Sequence, residues 1–133
     1  MHLSRITAVM LGVRDLGQSV AFYKDKLGLP LIMQEPALAL LQCGPIMLGL
    51  SRGHVTMAPH VSGATEVVFA VENVRAAQKE LSARGVTFLG EPRQATQTEW
   101  ASHFKDPDGH LLSIFGPQGS SEADPSGGSE GQG

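Results

Sequence analysis

Two similar stretches of sequence decide the fold. They read ITAVMLGVRDLGQSVAFYKDKLGL (6–29) and ATEVVFAVENVRAAQKELSARGV (64–86). In each, an alternating β-prone run leads to an acid or amide, and apolar residues at helical spacing follow. Three positions match at one constant offset, namely Val13 with Val71, Asp15 with Asn73 and Leu16 with Val74. The sequence therefore predicts an internally duplicated strand–helix unit.

The helix in each repeat has recognisable start and stop signals. Asp15 and Asn73 are predicted N-caps, since their short side chains can accept a bond from a free backbone N–H. Gly28 and Gly85 follow the two helices, as residues just past a helix end commonly do. In the first helix the buried face is predicted from spacings of four, three and four residues, as Leu16, Val20, Tyr23 and Leu27.

Three short strands are predicted after each helix. In the first half they span 31–34, 37–42 and 46–51, and in the second 86–90, 99–105 and 110–115. The last two strands are joined by Asp106-Pro107-Asp108-Gly109, a strong turn signal, whereas 93–98 is predicted to be a polar loop. The fold class is therefore α+β, built from two βαβββ repeats.

Length and composition allow one domain. The 133 residues are predicted to form a domain over 1–116, with repeats 4–51 and 64–116 and a linker 52–63, before a disordered Gly/Ser-rich tail 117–133. Three of the thirteen acids lie in that tail, so the body carries ten charges of each sign. A neutral body argues against nucleic acid or an anionic membrane as partner. Neither a signal peptide nor a membrane span is predicted, so a cytoplasmic location is expected.

The segments VRDLGQSVAFYKDKLGL (13–29) and DPDGHLLSIF (106–115) are similar to the two most recurrent pieces of the vicinal-oxygen-chelate superfamily. That superfamily includes glyoxalase I, extradiol dioxygenases, fosfomycin-resistance transferases and bleomycin-resistance proteins, and the likeness covers residues 4–116. It implies that each four-stranded mixed sheet curves around a cleft, with the helices outside. Such clefts bind small molecules, and the halves pair within one chain or across a homodimer.

The resemblance also locates the family's metal ligands. The matching positions here are Ala8, Gly49, Glu66 and Ser113. Alanine and glycine have no donor, and a serine hydroxyl is a poor ligand for a divalent metal, whereas catalytic zinc usually needs three protein ligands. No metal cofactor is therefore expected. The alternative is a divalent ion such as Zn, Ni, Mn or Fe on atypical ligands, Glu66 and His103, in a glyoxalase-type lyase, isomerase or dioxygenase.

Strand alternation predicts which residues line the cleft. Glu66 would lie in an apolar bowl, so we expect it to pair with His103 or to contact a polar group of the ligand. These two residues are also the candidates for a catalytic role. The predicted ligand-binding residues are Ala8, Met10, Met33, Leu40, Met47, Gly49, Glu66, Val68, Trp100, Ala101, His103, Ser113 and Phe115. Small residues at the ligand positions are expected to leave space for an organic molecule.

The function expected is therefore metal-free binding of an aromatic or amphipathic small molecule, as in drug-sequestering members of the superfamily. The neutral body argues against a ligand as cationic as bleomycin, which an acidic cleft would suit better. A metalloenzyme, a metal-free enzyme with Glu66 or His103 as general base, and an empty scaffold remain alternatives. Other reactive side chains are interpreted as inert. His2, His54 and His60 are expected to be exposed loop residues, and Cys43 has no flanking base or cation to activate it.

Overall fold

Each repeat folds into a four-stranded mixed sheet that carries one helical segment. The computed structural model describes Met1 and residues 5–54 and 65–119. His2, His60 and most of the predicted linker and tail lie outside the described residues. The chain divides into two units, one comprising Met1–Ser62 with Asp106–Gly109 and the other Gly63–Lys105 with His110–Gly133.

The sheet of the first unit has the strand order β1-β4-β3-β2. Its strands are β1 (Ala8–Gly12), β2 (Leu31–Glu35), β3 (Leu38–Cys43) and β4 (Ile46–Ser51). β1 runs parallel to β4, and the other pairs are antiparallel. The three strands predicted after the helix agree with the observed β2, β3 and β4 to within one residue at each end.

Helix α1 (Leu16–Val20) begins at Asp15, whose carboxylate accepts a 2.9 Å hydrogen bond from the N–H of Gln18. The predicted N-cap is thus confirmed. From Ala21 to Lys26 the helix widens into a π-helical segment, in which Leu27 N donates to Phe22 O, five residues back. The wider turn buries both Phe22 and Tyr23, and their rings meet edge to face at 5.2 Å.

The core of the first unit lies between α1 and its sheet. Side chains alternate along β3 and β4 so that one face of each strand meets the helix. Fully burying a valine, leucine or phenylalanine side chain stabilises the fold by about 1.5–3 kcal/mol, so this layer is the main source of the unit's hydrophobic stabilisation. Its buried apolar residues are Val13, Leu16, Val20, Phe22, Tyr23, Ala39, Leu41, Leu48 and Leu50.

The second unit repeats this topology, with the strand order β5-β8-β7-β6. Its strands are β5 (Glu66–Ala70), β6 (Arg93–Gln94), β7 (Trp100–Lys105) and β8 (Leu111–Gly116). The prediction of a strand at 86–90 is wrong, because that segment makes only an isolated bridge between Phe88 and Phe104. The edge strand lies instead at Arg93–Gln94, inside the segment predicted to be a polar loop.

Helix α2 (Val74–Ala83) packs on β7 and β8 of this sheet. The predicted N-cap is confirmed, since Asn73 Oδ1 accepts a 2.9 Å bond from Ala76 N. Gly85 has φ 98° and Gly28 φ 81°, the left-handed backbone that ends a helix and that glycine adopts without strain. The buried apolar residues of this unit are Val74, Val86, Phe104, Leu112 and Ile114.

The parallel strand pairs of the two sheets have the same register. Ala8 pairs with Met47 as Glu66 pairs with Leu111, and Met10 pairs with Gly49 as Val68 pairs with Ser113. The duplication seen in the sequence is therefore preserved at the level of backbone pairing. Within the described residues, no helix is long and apolar enough to cross a membrane.

Candidate functional site

Two candidate site residues meet on the open face of the second sheet. His103 Nε2 lies 3.1 Å from Glu66 Oε2, and about a third of each side chain is exposed. Glu66 begins β5 and His103 is in the middle of β7, with β8 between them. The alternation of both strands directs the two side chains to the same face, across Leu111 and Ser113 of β8. The predicted pairing of Glu66 with His103 is thus observed.

A cavity of about 430 Å³ lies beside this pair, within the range of small-molecule sites. Two leucines supply apolar walls, and a carboxylate, a guanidinium and an imidazole supply polar groups. The lining residues are Leu89, Gly90, Glu91, Arg93, His103 and Leu111. Of these, only His103 was among the predicted site residues.

Hydrogen bonds fix one wall of the cavity. Leu89 N donates a 2.8 Å bond to the carbonyl of His103, which holds the 86–90 segment alongside β7. From α2, Gln78 Nε2 donates a 3.2 Å bond to the carbonyl of Gly90. The same amide accepts a hydrogen bond from the hydroxyl of buried Ser102, the neighbour of His103. Gln78 therefore connects the helix, β7 and the cavity wall.

Five lining residues were not predicted. Leu89, Gly90, Glu91 and Arg93 were missed because 86–90 was taken as a strand and 93–98 as a polar loop. Leu111 lies on a correctly predicted strand, in phase with Ser113, but was not included. The only local signal was Gly90-Glu91-Pro92, a glycine and a proline that interrupt a strand pattern. That signal places a bend after Leu89, but it does not say which side chains face His103.

The other predicted residues of the second sheet, except Trp100, share the face of Glu66 and His103. Cross-strand register places Val68 opposite Ser113 and His103, and Phe115 opposite Ala101. Val68 is 52% exposed, whereas Ser113 is only 1% exposed. Trp100 is out of phase with His103, since alternation along β7 places it with Ser102 and Phe104. The roles of these residues in ligand binding remain predictions.

The predicted residues of the first sheet also share one face. Register aligns Met33, Leu40, Gly49 and Met10 across the four strands, with Met47 beside Ala8. The expectation that Gly49 leaves space is wrong. A Cβ at Gly49 would collide with Sδ and Cε of Met10 and would lie 3.2 Å from Leu40 Cδ2. The Met10 thioether fills the volume that a side chain at this position would occupy.

His54 and Cys43 were both interpreted as inert, and the structure shows the surroundings of each. His54 is half-buried rather than exposed, and its buried Nδ1 has no hydrogen-bond partner among the described residues. Cys43, at the end of β3, is half-buried, and burial raises the pKa of its thiol. A raised pKa reduces the thiolate fraction at neutral pH, which agrees with an unreactive cysteine.

The four positions that would hold the superfamily's metal do not fit one. Ala8 and Gly49 offer no donor atom, and the Gly49 position is covered by Met10. Ser113 is buried with a neutral hydroxyl, and the Glu66 carboxylate is engaged by His103. A catalytic ion needs about three good protein ligands, so this donor set is too poor.

The duplicated βαβββ topology, with a cavity of about 430 Å³ beside one sheet, defines the class of protein. A family model, the Glyoxalase/Bleomycin resistance protein/Dioxygenase superfamily, matches residues 5–114, and the chain belongs to this superfamily. The resemblance noted from the two sequence motifs is thereby confirmed.

Individual relatives have different described activities. The glutathione transferase FosA of Serratia marcescens is 32% identical over 117 residues, which is 84% of this chain and 80% of that protein. A glyoxalase/bleomycin resistance protein/dioxygenase from Nocardioides has a TM-score of 0.74 at 26% identity, covering 99% of this chain and 91% of that one. TnmS3, an antibiotic binding protein from Streptomyces sp. CB03234, has a TM-score of 0.72 at 22% identity, covering 88% and 98%.

Proposed function

We propose that this protein binds a small organic ligand without a metal and acts by sequestering it, as a drug-binding member of its superfamily. The observation that carries the proposal is the cavity of about 430 Å³ beside the Glu66–His103 pair. Its size suits a drug-like or metabolite-sized molecule, and its leucine walls suit an aromatic or amphipathic body. The antibiotic-binding relative TnmS3 supports this use of the fold.

The residues at the metal positions support the metal-free part of the proposal. Ala8 and Gly49 have no side-chain atom that could bind a metal. Met10 adds only a thioether, a soft and weakly basic group, to the same face. Polarising a substrate oxygen needs a held cation, so glyoxalase-type chemistry would require ligands from elsewhere. A metal-dependent enzyme that uses Glu66 and His103 is the alternative. It would require their mutual contact to be replaced by bonds to the ion.

A thermal-shift screen tests binding directly. The purified chain would be heated with antibiotics, aromatic acids and thioesters, each tested in excess. A ligand at 100 times its dissociation constant stabilises the folded state by about 2.7 kcal/mol, which raises the Tm by several degrees. No shift across the panel would count against the binding proposal.

Elemental analysis and product analysis separate the alternatives. Protein purified without chelator and measured by inductively coupled plasma mass spectrometry is expected to contain far less than one Zn, Ni, Mn or Fe per chain. A stoichiometric ion lost in the Glu66→Gln variant would support the metalloenzyme instead. For any hit of the thermal screen, unchanged ligand mass after incubation is expected from a binder, and turnover would indicate an enzyme.

We further propose a cytoplasmic homodimer. The dimer is supported by Val68, an apolar side chain that is half exposed on the face of the second sheet. The cytoplasmic location is supported by the single cysteine, with which no intrachain disulfide can form. Sedimentation equilibrium tests the oligomer, with a mass of twice 14.1 kDa expected. A monomer at micromolar concentration would contradict this part without affecting the binding proposal.

A further inference from the structure

We infer that the cavity of the second unit selects a zwitterionic ligand, one that carries an anionic and a cationic group close together on an apolar body. This inference deepens the proposed function and depends on it. It rests on two charged side chains of opposite sign, Glu91 and Arg93, that line the same cavity.

Both charges are available to a ligand. Among the residues that the structure describes, neither the Glu91 carboxylate nor the Arg93 guanidinium has an ion-pair or side-chain hydrogen-bond partner. They are not paired with each other either, although only Pro92 separates them. Among the described residues of this unit, ion pairs join Glu66 to His103 and Glu80 to Arg84. Both Glu91 and Arg93 are exposed, so water solvates their charged groups until a ligand replaces it.

The backbone spaces the two charges suitably. Glu91 lies in a bend just before Pro92, and Arg93 begins β6. Because only Pro92 separates the two residues, their Cα atoms are at most about 7 Å apart. Two flexible side chains at that spacing can flank an ammonium and a carboxylate that share one carbon atom. A guanidinium binds a carboxylate through two parallel hydrogen bonds, and Glu91 can accept from the ammonium.

The rest of the lining suits the body of the ligand. Leu89 and Leu111 supply apolar contacts, and the His103 ring is held by Glu66 through Nε2. A purely anionic ligand would be attracted by Arg93 but repelled by the Glu91 carboxylate. A purely cationic ligand would be attracted by Glu91 but repelled by Arg93. Only a ligand with both charges satisfies both side chains without a repulsive contact.

Four dansyl compounds with the same fluorescent body test the inference. Nε-dansyl-lysine is zwitterionic, 6-(dansylamino)hexanoate anionic, dansylcadaverine cationic and N-pentyl dansylamide neutral. Dissociation constants would be measured by fluorescence at pH 7 and low salt. Each charge, when matched, is expected to improve affinity about fivefold, the upper end for a solvent-exposed ion pair, so the zwitterion binds most tightly.

Variants then assign each gain to a side chain. Arg93→Gln is expected to abolish the gain from the carboxylate, and Glu91→Gln the gain from the ammonium, with the neutral compound bound as before. Lys79→Gln and Glu72→Gln, exposed charges outside the cavity lining, are matched controls and should change nothing. If the neutral compound binds but neither charge adds affinity, or if the anion binds as tightly as the zwitterion, the inference is wrong and the binding proposal stands. If no dansyl compound binds, the inference is contradicted, whereas the binding proposal is decided by the thermal-shift panel.

Discussion

The hydroxyl of Tyr23 donates a 2.7 Å hydrogen bond to Oδ2 of Asp106, and both residues are buried. Burial, followed by the negative charge of Asp106, raises the pKa of Tyr23 far above its ordinary value. The DPDG turn (Asp106–Gly109) is part of the first unit, and the hydrogen bond from Tyr23 connects it to the π-helical segment of that unit. This contact relates the two sequence motifs that indicated the superfamily.

The first prediction concerns alkaline pH. Because the pKa of Tyr23 is raised by folding, its contribution to stability is complete below the unfolded value of about 10 and is lost as pH rises further. The free energy of unfolding should fall by up to about 1.4 kcal/mol per pH unit above that point. Tyr23 is the only tyrosine, so absorbance at 295 nm follows it alone. The tyrosinate signal should rise together with unfolding measured by circular dichroism.

Tyr23→Phe provides the comparison. It should lose about 1–3 kcal/mol at pH 7, since Asp106 loses a donor in a buried site, and it should lack the phenol-dependent fall above pH 10. Ionisation of Tyr23 in the wild type while the circular dichroism remains native would show that the phenol is accessible and the contact weak.

The second prediction concerns Asp108, the other buried acid of the turn. Its Oδ1 accepts bonds of 3.0 Å from both N and Nε of Arg14, and its Oδ2 accepts a 3.2 Å bond from Ser19 Oγ. Asp108→Asn replaces one acceptor by a donor and removes the charge opposite Arg14. We expect a loss of about 3 kcal/mol, measured by urea unfolding with an unchanged m value.

Asp25→Asn is the control, since Asp25 is exposed and its carboxylate pairs with the neighbouring Lys24. It should change stability by less than about 0.5 kcal/mol. If the two variants are equally stable, the turn does not depend on the Asp108 network.

These contacts show what the sequence could and could not predict. N-caps depend on one side chain and the next turn, so Asp15 and Asn73 were predicted correctly. The π-helical segment was missed because a 3.6-residue period was assumed. That period correctly placed Tyr23 on the buried face, but it added Leu27, which is only half-buried, and omitted the buried Phe22. The edge strand Arg93–Gln94 has only two residues, too few to show alternation.

The candidate site was predicted less completely, for a related reason. Alternation and register follow from the strands, so Glu66 and His103 could be placed on one face. The cavity wall at Leu89–Glu91 is irregular backbone held by Gln78, a contact between distant residues that no local pattern encodes. Filling of the Gly49 space by Met10 depends on a rotamer, and composition cannot supply that information.

The third prediction tests whether Met10 fills that space. Gly49→Ala places a methyl group where the Met10 thioether lies, and the flexible end of Met10 must move. We expect Gly49→Ala to lower the free energy of unfolding by about 1 kcal/mol, and Met10→Ala alone to lower it by about 2 kcal/mol. In the double variant the costs should fall short of their sum by at least 0.5 kcal/mol, measured by urea unfolding. Strict additivity would show that the two side chains do not compete for the same volume.

The fourth prediction concerns the Glu66–His103 pair. Since about a third of each side chain is exposed, solvent screens the interaction and its stability effect should be below about 1 kcal/mol. Glu66→Gln, His103→Asn and the double variant form a cycle in which the second substitution costs little once the first is made. A larger coupling than in the exposed helical pair Glu80–Arg84 is expected, because the sheet fixes both residues. Equal couplings would show that the pair is no more than a surface contact.

The last prediction concerns Gln78, which we regard as a positioning residue for the cavity. Gln78→Met keeps the length and helix propensity of the side chain but removes its bonds to Ser102 and Gly90. It should cost about 1–2 kcal/mol, because the buried Ser102 hydroxyl loses its acceptor, and it should weaken Nε-dansyl-lysine binding because the wall at Gly90 is no longer held. Adding Ser102→Ala removes the orphan hydroxyl, so stability should partly return while affinity stays low. If affinity returns with stability, Gln78 acts through folding alone and does not position the wall.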